Sequence, residues 1–147
     1  MTLANRGAVV TGGGRGIGAA AARALAAAGA RVLVAARHEP EVLAVAAEIS
    51  RTGGSAWATR CDVADPVSVT ALARTAGERL GTVDILINNA GTASSAPLHR
   101  TTLEEWHRLL AVNATGTFLC TQAILPGMLE RGWGRVVNVA SISGLEG

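Results

Sequence analysis

The sequence has no lysine and no tyrosine, and all 13 of its basic residues are arginine. The chain therefore offers no side-chain amine and no phenol. Aromatic residues are scarce as well, at 3% against 49% hydrophobic residues. A core must be built from Ala, Val, Leu and Ile. Runs of like charge are absent: the bases are scattered, and 13 of them against 11 acids leave a net charge of +2. That argues against nucleic acid or an anionic membrane surface as the main partner. Cys61 and Cys120 lie far apart and fit no metal-ligand spacing. They read as small buried hydrophobes in a reducing compartment. The start, MTLANRGAVVTGG, lacks a basic region followed by a long apolar one, so no secretory signal is expected. No uncharged apolar stretch of about 18 residues stands out as a membrane span. These absences leave a soluble, cytoplasmic chain, read as one domain over residues 1–147.

Apolar β-rich runs alternate with Ala/Leu-rich helical runs. Strands are expected at Ala8–Thr11, Arg31–Ala36, Ser55–Arg60, Val83–Asn88 and Arg135–Ala140. Four of them carry near-continuous apolar stretches, as parallel strands covered on both faces do. Helices are expected near Gly16–Ala28, Pro40–Arg51, Pro66–Leu80 and Thr102–Arg131. Gly29 and Gly81 fall where left-handed helix caps are needed. Asp65 before Pro66 reads as an N-cap, and Thr102 with Glu105 as a capping box. Pro126 predicts a kink or an early end in the last helix. Leu103, Trp106, Leu110 and Phe118 are expected to form that helix's buried face. The alternation implies an α/β fold with a doubly wound parallel sheet in three α/β/α layers.

TGGGRGIG, Thr11–Gly18, follows the first strand and opens the first helix. Gly12 permits a tight turn, Gly16 lets backbone approach a pyrophosphate, and Gly18 lets the helix pack closely on the sheet. A helix N-terminus offers unpaired N–H groups to phosphate. Thr11, Gly12, Gly14, Arg15, Gly16, Ile17 and Gly18 are thus candidate dinucleotide-binding residues. An NAD site usually carries an acid about 20 residues past the glycines, to bind the ribose 2′-hydroxyl. Here that position is Ala36, followed by Arg37. A guanidinium suits a 2′-phosphate by charge and by bidentate geometry. Arg37, with Arg15 in the turn, favours NADP(H) over NAD(H). His38, His99 and His107 show no metal spacing, and no site role is expected of them.

Five elements occur together: TGGGRGIG, CDV at Cys61–Val63, NNAG at Asn88–Gly91, Asn113 in the long helix, and Ser141 in S-x-x-G. With these the sequence resembles the short-chain dehydrogenase/reductase family across nearly its whole length. The resemblance implies a Rossmann-type sheet, here of about five strands and incomplete. It makes Asp62 the aspartate on the adenine amino group, with Val63 beside the ring. Asn89, Ala90 and Gly91 become the loop along the cofactor ribose, and Asn88 a structural bridge between strands. Asn113 becomes the catalytic-tetrad asparagine and Ser141 the active-site serine, favoured over Ser143 by its spacing to Gly144.

The reaction so implied moves a hydride between nicotinamide and a ketone or secondary alcohol. In the family a Tyr-x-x-x-Lys motif moves the proton, and this chain has neither residue. A phenol of pKa about 10 needs a nearby cation to work near neutrality. The family places that motif shortly after the serine, past Gly147. The sequence therefore reads as the N-terminal part of a longer enzyme, inactive alone; a non-catalytic dinucleotide-binding module or an inactive truncation is the alternative. The fifth strand is expected to be uncovered at its edge, which predicts marginal stability or partner dependence for this piece. The resemblance also implies a homodimer or homotetramer built partly on the long helix. The loop Thr92–Thr101 borders the expected cleft without a readable substrate signature.

Overall fold

The computed structural model describes residues 3–141. The chain runs β1 (Gly7–Thr11), α1 (Gly16–Ala27), β2 (Arg31–Ala36), α2 (Glu39–Arg51), β3 (Ser55–Arg60), α3 (Pro66–Leu80) and β4 (Ile85–Asn88). A short 3-10 turn at Leu98–Arg100 leads to α4 (Leu103–Leu110), a π turn (Ala111–Thr115), α5 (Gly116–Glu130) and β5 (Arg135–Asn138). The strands form one parallel sheet in the order β3-β2-β1-β4-β5. Val9 of β1 stands opposite Leu33 of β2 and Leu86 of β4.

Successive strand residues face opposite sides, and this divides the core into two layers. Val9, Leu33 and Leu86 pack with Leu72 of α3 and Ile124 and Met128 of α5. Val10, Val34 and Ile87 pack with Ala22 of α1 and Val42 and Ile49 of α2. Both faces of β1, β2 and β4 are covered, which is why those strands read as continuous apolar runs. Val9, Val10, Val32, Leu33, Val34 and Leu86 are fully buried. Each such side chain contributes about 1.5–3 kcal/mol relative to exposure.

The local punctuation is as expected. Asp65 accepts a hydrogen bond from the Val67 N–H at 3.0 Å, and Gly29 and Gly81 take φ of 95° and 70°. Thr102 accepts from the Glu105 N–H at 3.1 Å. The reciprocal half of the box is not made, because both Glu105 carboxylate oxygens accept from Arg108.

The long helix differs from expectation in three ways. Leu103, Trp106, Leu110 and Phe118 are exposed, at 68%, 51%, 40% and 58%. The buried stripe is Val112, Gly116, Cys120, Ile124 and Met128, at i, i+4 spacing. Size selects it: a Cβ at Gly116 would stand 2.7 Å from Val63 Cγ2, so only a small residue lets the helix seat there. Secondly, a π turn interrupts the helix at Ala111–Thr115; of the two outcomes expected at Pro126, a kink or an early end, the early end does not occur, since α5 runs on to Glu130. Pro126 deprives only the Gln122 carbonyl of its helical donor. Thirdly, the combined helical run Leu103–Glu130 is 28 residues long and, by length and composition, apolar enough to cross a membrane. Its buried stripe packs against the sheet and α3, while most of its remaining surface is open.

Strands β4 and β5 are shorter than expected, starting at Ile85 and ending at Asn138. All four residues of β5 are exposed, and β4 is its only strand partner among the described residues.

Candidate functional site

The strand order reverses direction between β1 and β4, and open α/β sheets bind ligands beyond the carboxyl ends of the strands at such a point. The glycine turn lies there. Gly12 and Gly16 take φ of 62° and 53°, a region that L side chains rarely adopt. A Cβ at Gly16 would meet nothing within 4 Å, so the turn presents bare backbone. The N-terminus of α1 has no side-chain cap and no acid in its first turn. Its partial positive charge is left for an anion.

The turn is tied to the β4 end by side chains. Thr11 Oγ1 accepts from the backbone N–H groups of Asn89 and Ala90, at 3.1 and 3.2 Å, and donates to the Ile87 carbonyl at 3.3 Å. Asn89 Nδ2 donates to the carbonyls of Thr11 and Gly12, at 3.2 and 3.0 Å. Asn88 bridges as expected, donating to Asn138 Oδ1 at 2.9 Å and Thr121 Oγ1 at 3.0 Å.

A cleft of about 540 Å³ opens beside this turn, within the usual range for a cofactor site. It brings together Gly12, Gly14, Arg15, Arg37, Asp62 and Val63 with the Asn89–Gly91 loop. Thr11 and Gly18 are buried behind it, while Gly16 and Ile17 lie exposed at the start of α1. Asp62 Oδ1 accepts from the Ala64 N–H at 3.0 Å, so this carboxylate also organises its own turn. Asn113 sits in the π turn and uses its whole amide on Thr92. Oδ1 accepts from the Thr92 N–H at 2.9 Å, and Nδ2 donates to the Thr92 carbonyl at 2.8 Å. It thereby holds the segment after Gly91 against the helix. Ser141 follows β5 at the same carboxyl edge and is exposed. Ser143 and Gly144 lie outside the described residues.

Residues 6–147 match the family model described as short chain dehydrogenase. The chain belongs to the short chain dehydrogenase family. It is 42% identical, over 95% of its length, to a 3-oxoacyl-(acyl-carrier-protein) reductase of Synechocystis sp., of which it covers 57%. A solved metagenomic short-chain oxidoreductase in complex with NADP superposes with a TM-score of 0.93 at 39% identity, over 98% of this chain and 66% of that one. A 7α-hydroxysteroid dehydrogenase complexed with NADH and 7-oxo glycochenodeoxycholic acid superposes with a TM-score of 0.95 at 34% identity, over 98% of this chain and 56% of that one. The chain spans about half the length of the curated relatives it matches.

His38, Glu41, Cys61 and Val112 also line this short chain dehydrogenase cleft, and sequence reasoning assigned none of them to it. Glu41 is in the first turn of α2, and His38 Nδ1 stands 3.5 Å from its Oε1. The i, i+3 spacing of the pair was the available signal. Burial pushes the Cys61 thiol up, and it pushes Cys120 up to about 12. Neither thiol is poised to react. On α4, hydrogen bonds from Arg108 and then Ser94 hold Glu105 down at about 2. Among the described residues no group of His, Cys, Asp and Glu is arranged to hold a metal ion.

Proposed function

We propose that this chain forms the cofactor-binding part of an NADP(H)-dependent oxidoreductase acting on a small-molecule ketone or secondary alcohol in the cytoplasm. The carrying observation is a bare glycine turn at the strand-order reversal, flanked by Arg15 and Arg37 and with Ala36 where an NAD-binding acid would stand. Thr11 and Gly18 set the turn. Gly12, Gly14, Gly16 and Ile17, with the α1 N-terminus, receive the pyrophosphate. Arg15 and Arg37 take the 2′-phosphate. Asp62 and Val63 receive the adenine, and Asn89, Ala90 and Gly91 the ribose. The bound nicotinamide supplies or accepts the hydride. Ser141 donates a hydrogen bond to the substrate oxygen, and Asn113 acts as a positioning residue through Thr92. The family moves the proton through a Tyr-x-x-x-Lys pair, and this chain has no tyrosine or lysine. The domain over residues 1–147 is then completed by further sequence carrying Tyr-x-x-x-Lys. The exposed Leu103, Trp106, Leu110 and Phe118 support assembly as a homodimer or homotetramer through the long helix.

The missing phenol and amine favour one second reading, a dinucleotide-binding module without catalysis. The coding sequence past Gly147 separates the two: a nearby Tyr-x-x-x-Lys supports the enzyme, and a stop codon supports the module. Turnover of the complete gene product with each cofactor tests the first reading. Strong preference for NAD(H) sinks its cofactor part.

A further inference from the structure

We propose that Glu41 is a second determinant of cofactor choice, one that opposes the 2′-phosphate. This rests on reading the cleft as an NADP(H) site. Glu41 lines the same cleft as Arg15 and Arg37. Its position is firm, because the next residue, Val42, is fully buried in the α2 layer. Its side chain lies against the glycine turn: a Cβ at Gly14 would stand 2.8 Å from Glu41 Cβ and 3.0 Å from Oε2. The one ion-pair partner within 4.0 Å among the described residues is His38. Neither Arg15 nor Arg37 neutralises the carboxylate.

The cleft thus holds a carboxylate as well as the two guanidiniums that would recognise a phosphate. The two cofactors differ at one group: NADP(H) carries a phosphate dianion on the adenosine ribose where NAD(H) carries a hydroxyl. A carboxylate repels the first and accepts a hydrogen bond from the second. Even at the dielectric of water, one carboxylate about 6 Å from a phosphate dianion weakens its binding by about tenfold. Glu41 therefore narrows the preference that Arg15 and Arg37 create.

Calorimetric titration of the protein with NADP+, NAD+, 2′,5′-ADP and 5′-AMP tests this, since the last two differ only in the 2′-phosphate. Glu41→Gln should raise the NADP+ to NAD+ affinity ratio about tenfold, with the same rise for 2′,5′-ADP over 5′-AMP. Any effect on folding is common to both ligands and cancels in the ratio. Glu41→Asp keeps the charge and should keep the original ratio. A rise under about threefold in Glu41→Gln overturns the proposal, as does an equal rise in both variants. If the unmodified protein binds 2′,5′-ADP no better than 5′-AMP, the underlying cofactor reading has failed instead.

Discussion

Gly18 and Gly77 are both helical glycines, and the same substitution should move stability in opposite directions at the two sites. Alanine is the better helix former by about 0.5–1 kcal/mol. In α3, Gly77 is exposed, and an added Cβ would meet nothing within 4 Å. Gly77→Ala should therefore stabilise by about 0.5–1 kcal/mol. In α1, an added methyl at Gly18 would overlap the Gly12 carbonyl oxygen and Asn89 Nδ2. Neither can move freely, because Asn89 Nδ2 donates to that carbonyl at 3.0 Å and to Thr11 at 3.2 Å. Overpacking of this kind costs about 1–3 kcal/mol. Displacing the Asn89 amide loses two hydrogen bonds, each contributing about 1 kcal/mol. After the helix-propensity gain, Gly18→Ala should cost about 2–4 kcal/mol. At about 3 °C per kcal/mol for a chain of this size, that lowers Tm by roughly 10 °C, while Gly77→Ala raises it by about 2 °C. Thermal unfolding followed by circular dichroism reads both. If Gly18→Ala matches or exceeds the parent Tm, the close approach of α1 to the β4 loop is wrong; if Gly77→Ala lowers it, the open space beside Gly77 is wrong.

Three other outcomes are expected. Arg37→Asp replaces a phosphate-binding cation with a ribose-binding acid, so the relative affinity for NADP+ and NAD+ should reverse; an unchanged ratio in a titration would remove Arg37 from the site. Cys61 and Cys120 are buried with raised thiol pKa values, so a thiol reagent at about pH 8 should label neither in the folded protein and both in urea; rapid labelling of folded protein contradicts this. Glu105, held at about 2, lies below its unfolded value, so its contribution to folding is fully present above about pH 4.3 and fades as pH falls toward about 2. A carboxyl NMR titration with an ordinary midpoint would show that the Arg108 contact does not persist in solution.

Much of the architecture was legible because its causes are local. Asp65 caps α3 through a residue two positions away, and Gly29 ends α1 by a backbone angle of its own. Strand runs that are apolar on both faces imply helices on both faces, and the alternation of elements implies parallel pairing. The glycine turn was legible for the same reason, since the need for glycine is a property of the turn itself.

Tertiary structure decided the rest. Apolar spacing on the long helix marked residues able to be buried, yet Gly116 against Val63 chose the face, and the Trp106 side went to solvent. Asn89 reaches back to a turn 77 residues earlier, and Asn113 grips Thr92 across 21 residues. Glu41 enters the cleft only because α2 folds back onto Gly14. By itself the sequence determined the elements, the glycine turn and the arginines available to a phosphate, because each depends on neighbours in the chain. Which side chains share the cleft, and which helix face stays open, follows from the packing of distant segments, and no local pattern encodes that geometry.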